Sequence, residues 1–209
     1  MLTSVKVLKS VCALSLLAIF PVALASAETV SVAGGSLTIT NTPLTFQSIT
    51  LNLSASQTST ASTTLSAQDD RGTGAGWSIT LSATDFVSDS IADPSGGSGN
   101  VTVKIPITAV SFTVGSVSSS MGQAIDPTYG PKATTSGTLS TSAQRLLNAS
   151  PGYGMGAYTA TADFMLTLPK TTTVNTVSGT GSKYTVGTTV GVIASTYTST
   201  FTFTSAAGI

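Results

Sequence analysis

Thr alternates with apolar residues along much of the chain, most plainly near its end. Thr196, Thr198, Thr200, Thr202 and Thr204 fall on one parity, and Tyr197, Ser199, Phe201 and Phe203 on the other. Successive side chains of a strand point to opposite faces, so this period of two predicts a half-buried strand. The same alternation recurs at Leu37 and Ile39, at Ile49, Leu51 and Leu53, at Trp77, Ile79 and Leu81, and at Phe164, Leu166 and Leu168. Between Val101 and Val114 the apolar set runs Val101, Val103, Ile105, Ile107 and then Val110, Phe112, Val114, so its parity slips by one near Thr108. A bulge or sharp bend there returns both halves to one core. Pro106 cannot donate to a strand ladder, which predicts an edge or bulged position for its segment.

The runs are separated by Gly34-Gly35, Pro94-Ser95-Gly96-Gly97, Pro151-Gly152 and Ser178-Gly179-Thr180-Gly181, the residue types that tight turns demand. Helix candidates are confined to two short pieces, Ser142 to Asn148 and Asp85 to Ala92, which is too little for parallel βαβ units. The pattern predicts an all-β fold, an antiparallel β-sandwich of about eight or more strands with long loops. The polar stretch 115–145 reads as an exposed excursion from it.

Residues 1–27 read as a secretory signal. Lys6 and Lys9 form its positive start, Val11 to Phe20 its apolar run, and Ala25-Ser26-Ala27 a small-residue exit that predicts cleavage after Ala27. Residues 28–209 then form one secreted domain with no membrane span, since no later run approaches the length of one. The single Cys, Cys12, lies inside the apolar run, so the remainder has no disulfide.

Eight Lys and Arg balance eight Asp and Glu, and there is no His. Balanced charge lacks the basic excess that nucleic-acid binding needs. Without His, and without Cys after the signal, the commonest acid–base, nucleophilic and zinc chemistries are closed to the chain. Ser and Thr make up about a third of it, so a Ser beside Lys104, Lys132, Lys170 or Lys183 singles out no nucleophile. The expectation is a protein that is not an enzyme and carries no cofactor and no metal. Asp85, Asp89 and Asp93 recur at intervals of four, which raises a calcium site, but the spacing is not that of an EF-hand and solvated loop acids are the default.

One stretch is recognisable. Asp69-Asp70-Arg71-Gly72-Thr73-Gly74-Ala75-Gly76-Trp77-Ser78-Ile79 resembles the WxL-type cell-surface domain of Gram-positive and related bacteria, in which a D-x-R-G-x-G-x-G-W block leads into a strand. Gly154 to Tyr158 is similar to the family's late glycine-rich turn. Leu166-Thr167-Leu168-Pro169 and Tyr197-Thr198-Ser199-Thr200 are similar to its closing strands, with an insertion around 170–190. Ile79 stands where the family name has Leu, and Phe201-Thr202-Phe203 replaces a second Trp-x-Leu. The resemblance implies a secreted β domain that associates non-covalently with the cell wall. Peptidoglycan or another envelope glycan would be its partner, and other surface proteins its companions. Its signature falls on Asp70, Arg71, Gly72, Gly74, Gly76, Trp77 and Ile79.

The residues of the block carry a reading of their own. Alternate glycines permit positive φ and close backbone approach, and Arg71 offers a planar donor fork to a nearby carboxylate or carbonyl. Together they predict a tight turn feeding a core strand. A phosphate loop does not fit, because the spacing is not G-x-G-x-x-G and the block opens a strand. Trp77 is either a core anchor or an exposed platform for a sugar ring, and its apolar parity favours the core. Strands rich in Thr, Val and Phe but poor in charge also lack the usual protection of sheet edges. This motivates an alternative: a self-assembling subunit of a filament or surface layer, built from copies of itself, with Glu28 to Thr40 or Ser195 to Thr204 donated to a neighbour's sheet. A polysaccharide-binding adhesin is the third reading.

Overall fold

In the computed structural model, which describes residues 30–134 and 136–208, all strand pairings are antiparallel. The signal segment and cleavage point expected over 1–27 lie outside the described residues. In chain order the strands are β1 (Leu37–Asn41), β2 (Gln57–Asp69), β3 (Trp77–Ala83), β4 (Phe86–Ser88), β5 (Ile91–Ala92), β6 (Asn100–Ile105), β7 (Val110–Val114) and β8 (Ser118–Gly122). They continue as β9 (Lys132–Ala133), β10 (Ser136–Thr138), β11 (Gln144–Ala149), β12 (Gly156–Leu168), β13 (Thr171–Val177), β14 (Thr189–Gly191), β15 (Tyr197–Thr198) and β16 (Phe201–Ala207).

Two of the three sheets make the sandwich. The first follows β1-β2-β12-β7-β10, with β8 also paired to β12, and the second follows β16-β3-β11-β9. β2 and β12 pair over their whole length, from Asp69 opposite Gly156 to Gln57 opposite Leu168. Leu65, Tyr158, Ala162 and Phe164 of the first sheet meet Trp77, Ile79, Leu81 and Leu147 of the second in one buried core. Each fully buried Leu, Ile or Phe stabilises by roughly 1.5–3 kcal/mol. That burial carries the fold, because a single Cys allows no internal disulfide.

The third sheet, β14-β13-β6-β4-β15 with β5 beside β6, is fed by strands leaving the other two. β6 turns through Pro106 and a 3-10 turn at Ile107–Ala109 into β7, and β12 passes Pro169 into β13. β3 continues past Thr84 and Asp85 into β4, and β15 runs through Ser199 and Thr200 into β16. Such corners, where a strand switches sheets, are how packed sheets are joined. The parity slip near Thr108 is one of them. Pro106 sits in the bend of the corner, where no ladder bond is required of it, so of the edge or bulged position expected the edge is not found, and β6 lies inside its sheet. The Thr-rich end is likewise two strands in different sheets, and Tyr197, Phe201 and Phe203 keep their inward parity through the break.

Several expectations are corrected. Ile49, Leu51 and Leu53 are not in a strand; their segment is irregular, with Leu51 and Leu53 exposed. Ser142 to Asn148 holds most of β11, and Asp85 to Ala92 holds β4 and β5, so neither is a helix. The stretch 115–145 is exposed in part, as in β8, yet it returns β9 and β10 to the two main sheets and buries Leu139. β1 and β16, the strands proposed for donation, are hydrogen-bonded to β2 and β3 within the chain. The two ends of the described domain meet at the start of β3. The Gly35 amide donates to the Asp70 carbonyl at 2.8 Å, and the Gly208 amide to the Gly76 carbonyl at 3.1 Å. No helix among the described residues is long and apolar enough to cross a membrane.

Candidate functional site

The D-x-R-G-x-G-x-G-W block links β2 to β3 at the end of the sandwich where the ends of the described domain meet. The alternation of β2 turns its last residue, Asp69, inward, where its side chain is 1% exposed. A lone carboxylate there would be costly, and Arg71 curls back to it. Arg71 Nε donates to Asp69 Oδ1 at 2.8 Å, and Nη2 donates to Oδ2 at 2.9 Å and to the Gly76 carbonyl at 2.8 Å. The bidentate pair holds the Asp69 carboxyl below the usual carboxylate range, against the opposing effect of burial. Asp70 faces solvent and serves mainly through its backbone, bonded to Gly35 and Ser36.

The glycines let the chain turn this tightly. Gly72, Gly74 and Gly76 have φ of 68°, 60° and 72°, a region side chains disfavour. A Cβ on Gly76 would also sit 2.6 Å from the Ala149 carbonyl oxygen. Beyond it, Trp77 is fully buried and its Nε1 donates to the Gly154 carbonyl at 2.9 Å. Trp77 is thus the core anchor that its parity favoured, with its polar atom satisfied as a buried indole requires. Ile79, two positions on, is 1% exposed and part of the same core.

Two further loops lock onto this corner. Gly154 has φ of 80°, and a Cβ there would lie 2.7 Å from Trp77 Nε1. The Gly152 amide donates to the Gly74 carbonyl at 2.6 Å. The Tyr158 ring packs 6.2 Å from Trp77, and its hydroxyl lies 2.7 Å from the Gln123 carbonyl oxygen. Burial first, and the Asp69 charge second, push the Tyr158 phenol pKa up. All seven signature residues are therefore in one corner, but as its framework: Arg71, Gly76, Trp77 and Ile79 are turned inward, and only Asp70 and Gly72 stand at the surface.

What this end exposes is different. Tyr129, exposed, stacks on the half-buried Tyr153 with ring centres 4.9 Å apart and planes 20° from parallel. The sequence reading passed over both. Each lies in a Pro-x-Tyr-Gly turn, Pro127 to Gly130 and Pro151 to Gly154, and that repeat was the available signal. At the opposite end of β16, Phe201 takes the place expected of the second motif and packs inward, 5.8 Å from Phe164 and 6.1 Å from Phe86.

The acids spaced by four are not brought together. Asp85 accepts from Lys104 Nζ and from the Ile107 amide, both at 2.9 Å. Asp93 accepts from the Ser95 amide at 2.8 Å in its own turn. Among the described residues no cluster of three or more His, Cys, Asp or Glu could hold a metal ion. In comparisons with known proteins, the family model for the WxL domain, described as surface cell wall-binding, matches residues 28–205. No curated protein matches the chain, and no solved structure does.

Proposed function

Because the chain belongs to the WxL domain family, a cell wall-binding domain of the cell surface, we propose that it is a secreted, non-enzymatic protein that holds peptidoglycan non-covalently. The observation that carries this reading is the family match over residues 28–205. The chemistry of the corner supports it: Asp69 and Arg71 are spent on each other, and Trp77 on the core. The signature residues build a rigid scaffold and leave the adjoining loops to meet the wall.

The test incubates purified protein with isolated cell walls and with walls stripped of their secondary polymers. Saturable pelleting with both, reversed by denaturant and with no release of soluble sugar, is the expected result. Failure to pellet would sink the reading, and loss of binding on stripping would move the ligand from peptidoglycan to another envelope polymer. A second reading, self-assembly, is favoured by the uncharged edge of β8, whose five residues are all exposed. Light scattering on the protein alone decides it, since a monomer at high concentration excludes a lattice built from copies of the chain.

A further inference from the structure

Two loops at the Trp77 end carry the same pattern, Pro127-Thr128-Tyr129-Gly130 and Pro151-Gly152-Tyr153-Gly154. In both, the Gly after Tyr takes positive φ, 95° at Gly130 and 80° at Gly154, so each turn swings its ring to the same place. The result is the stacked pair. We propose that Tyr129, held from behind by Tyr153, is a platform for one face of a hexopyranose ring in a glycan strand of the cell wall, a subsite that rests on the wall-binding reading above.

Exposure is the first argument. Tyr129 is 48% exposed, the only aromatic among the exposed large apolar residues described, whereas Trp77, Tyr158 and Phe164 are fully buried. Among the described aromatic residues Tyr129 is the most open to water, and Tyr153 is half-buried against it. Aromatic rings that are apolar in body and polar at the tip suit a partner that is itself part apolar and part hydroxyl. The C–H face of a pyranose has that character, and its equatorial hydroxyls reach past the ring edge.

Rigidity is the second. Asp126 and Gly130 exchange backbone bonds at 3.2 and 2.8 Å, and Asp126 Oδ1 accepts from the Thr128 and Tyr129 amides, both at 2.8 Å. The Ser150 amide donates to the Tyr129 carbonyl at 2.9 Å, and Gln123 Nε2 to the Gly152 carbonyl at 3.1 Å. The two turns are tied to each other and to the framework before any ligand arrives, which lowers the ordering cost of binding. Lys132 donates to the Thr128 carbonyl at 2.9 Å, and its ammonium has further protons for sugar or N-acetyl oxygens beside the rings.

The experiment compares the protein with Tyr129→Ala, Tyr153→Ala and Tyr129→Phe variants. Pelleting with isolated walls is measured alongside calorimetric titration with peptide-free glycan strands. Each Ala variant is expected to melt as the parent does and to bind about tenfold more weakly in both assays, while Tyr129→Phe stays within about twofold. Pelleting of the Ala variants equal to that of a saturably binding parent would overturn the platform and leave the wall reading standing. A parent that ignores walls overturns both. Binding to walls but not to peptide-free strands overturns the sugar ring as ligand. Should an Ala variant fail to fold, the tyrosine ring protons of the parent give the answer: they shift on adding strands if the platform binds, and stay fixed if it does not.

Discussion

Two corners of the molecule are made of nearly the same materials. Asp69 to Trp77 locks against Gly152 to Gly156, and Asp93 to Asn100 locks against Ser178 to Lys183. Each starts with an aspartate buried at the end of a strand, 3% exposed at Asp69 and 7% at Asp93. Each brings backbones so close that a Cβ would collide, at Gly76 in the first and at Gly99 in the second. The difference lies in what the aspartate meets. Asp69 has both oxygens taken by a guanidinium, which also holds the Gly76 carbonyl just before the buried Trp77. Asp93 meets hydroxyls and amides in place of a guanidinium: one oxygen accepts from the Ser95 amide, and the Ser182 hydroxyl leads the donors that hold its carboxyl below the usual range. Its corner is stitched by hydroxyls and amides: Lys183 N to Ser95 Oγ at 2.8 Å, Ser98 N to the Thr180 carbonyl at 2.9 Å, Asn100 N to Ser178 Oγ at 2.9 Å. The first corner is tied into the core and the second is a surface seam, so damage to them should travel different distances.

The sharpest break of that contrast is Trp77→Ala. Removing a fully buried indole costs about 4 kcal/mol, and loss of wall retention in this variant should track loss of fold by circular dichroism. A folded variant that fails to pellet would place Trp77 in binding as well as in the core. Next is Arg71→Ala, which leaves Asp69 buried without its charge partner and costs about 3 kcal/mol in denaturant unfolding. Arg71→Lys should recover part of this, because a point charge cannot make the same fork.

Acid comes third. A carboxyl whose folded pKa is depressed stabilises the protein above its unfolded value, about 4, and that stabilisation is lost as pH falls through the lower folded value. Thermal melting should therefore drop below about pH 4 in the parent protein, and drop less in Arg71→Ala, where the depression is relieved. Equal acid limbs would show that Asp69 is not the group responsible. Smallest is Ser95→Ala in the second corner, which removes the acceptor for the Lys183 amide and should cost about 1 kcal/mol or less. Hydrogen exchange would show the opening confined to the seam around Ser178 to Lys183.

The sequence was legible where inward positions are large. Ile79 and Leu81, Phe164 and Leu166, and the turn at Thr108 all announce themselves by size and parity. β2, among the longest strands, did not, because apart from Leu65 its inward residues Ser59, Ala61, Thr63 and Ala67 are small or hydroxylic and hydropathy does not tell them from the outward Thr and Ser. The nearby large residues Ile49, Leu51 and Leu53 drew the strand reading instead. β11 was mistaken for a helix candidate because its register shifts between Arg145 and Leu147, so the adjacent Leu146 and Leu147 are both buried. Such a doublet breaks the period of two. At the site, the glycine block was legible from its residue types, but which surface its rigidity would display was not. That depends on three loops meeting, and only the paired Pro-x-Tyr-Gly turns hinted at it.

The meeting of the two ends of the described domain beside Asp70 and Gly76 has a mechanical consequence. Tension applied between the ends enters the molecule through β1 and β16, both edge strands, and reaches first the Gly35–Asp70 and Gly208–Gly76 bonds. The load then falls on the Asp69–Arg71–Gly76 fork, while the third sheet hangs slack beyond the corners. A pull on this domain tests its strongest corner first and its hydroxyl seam last.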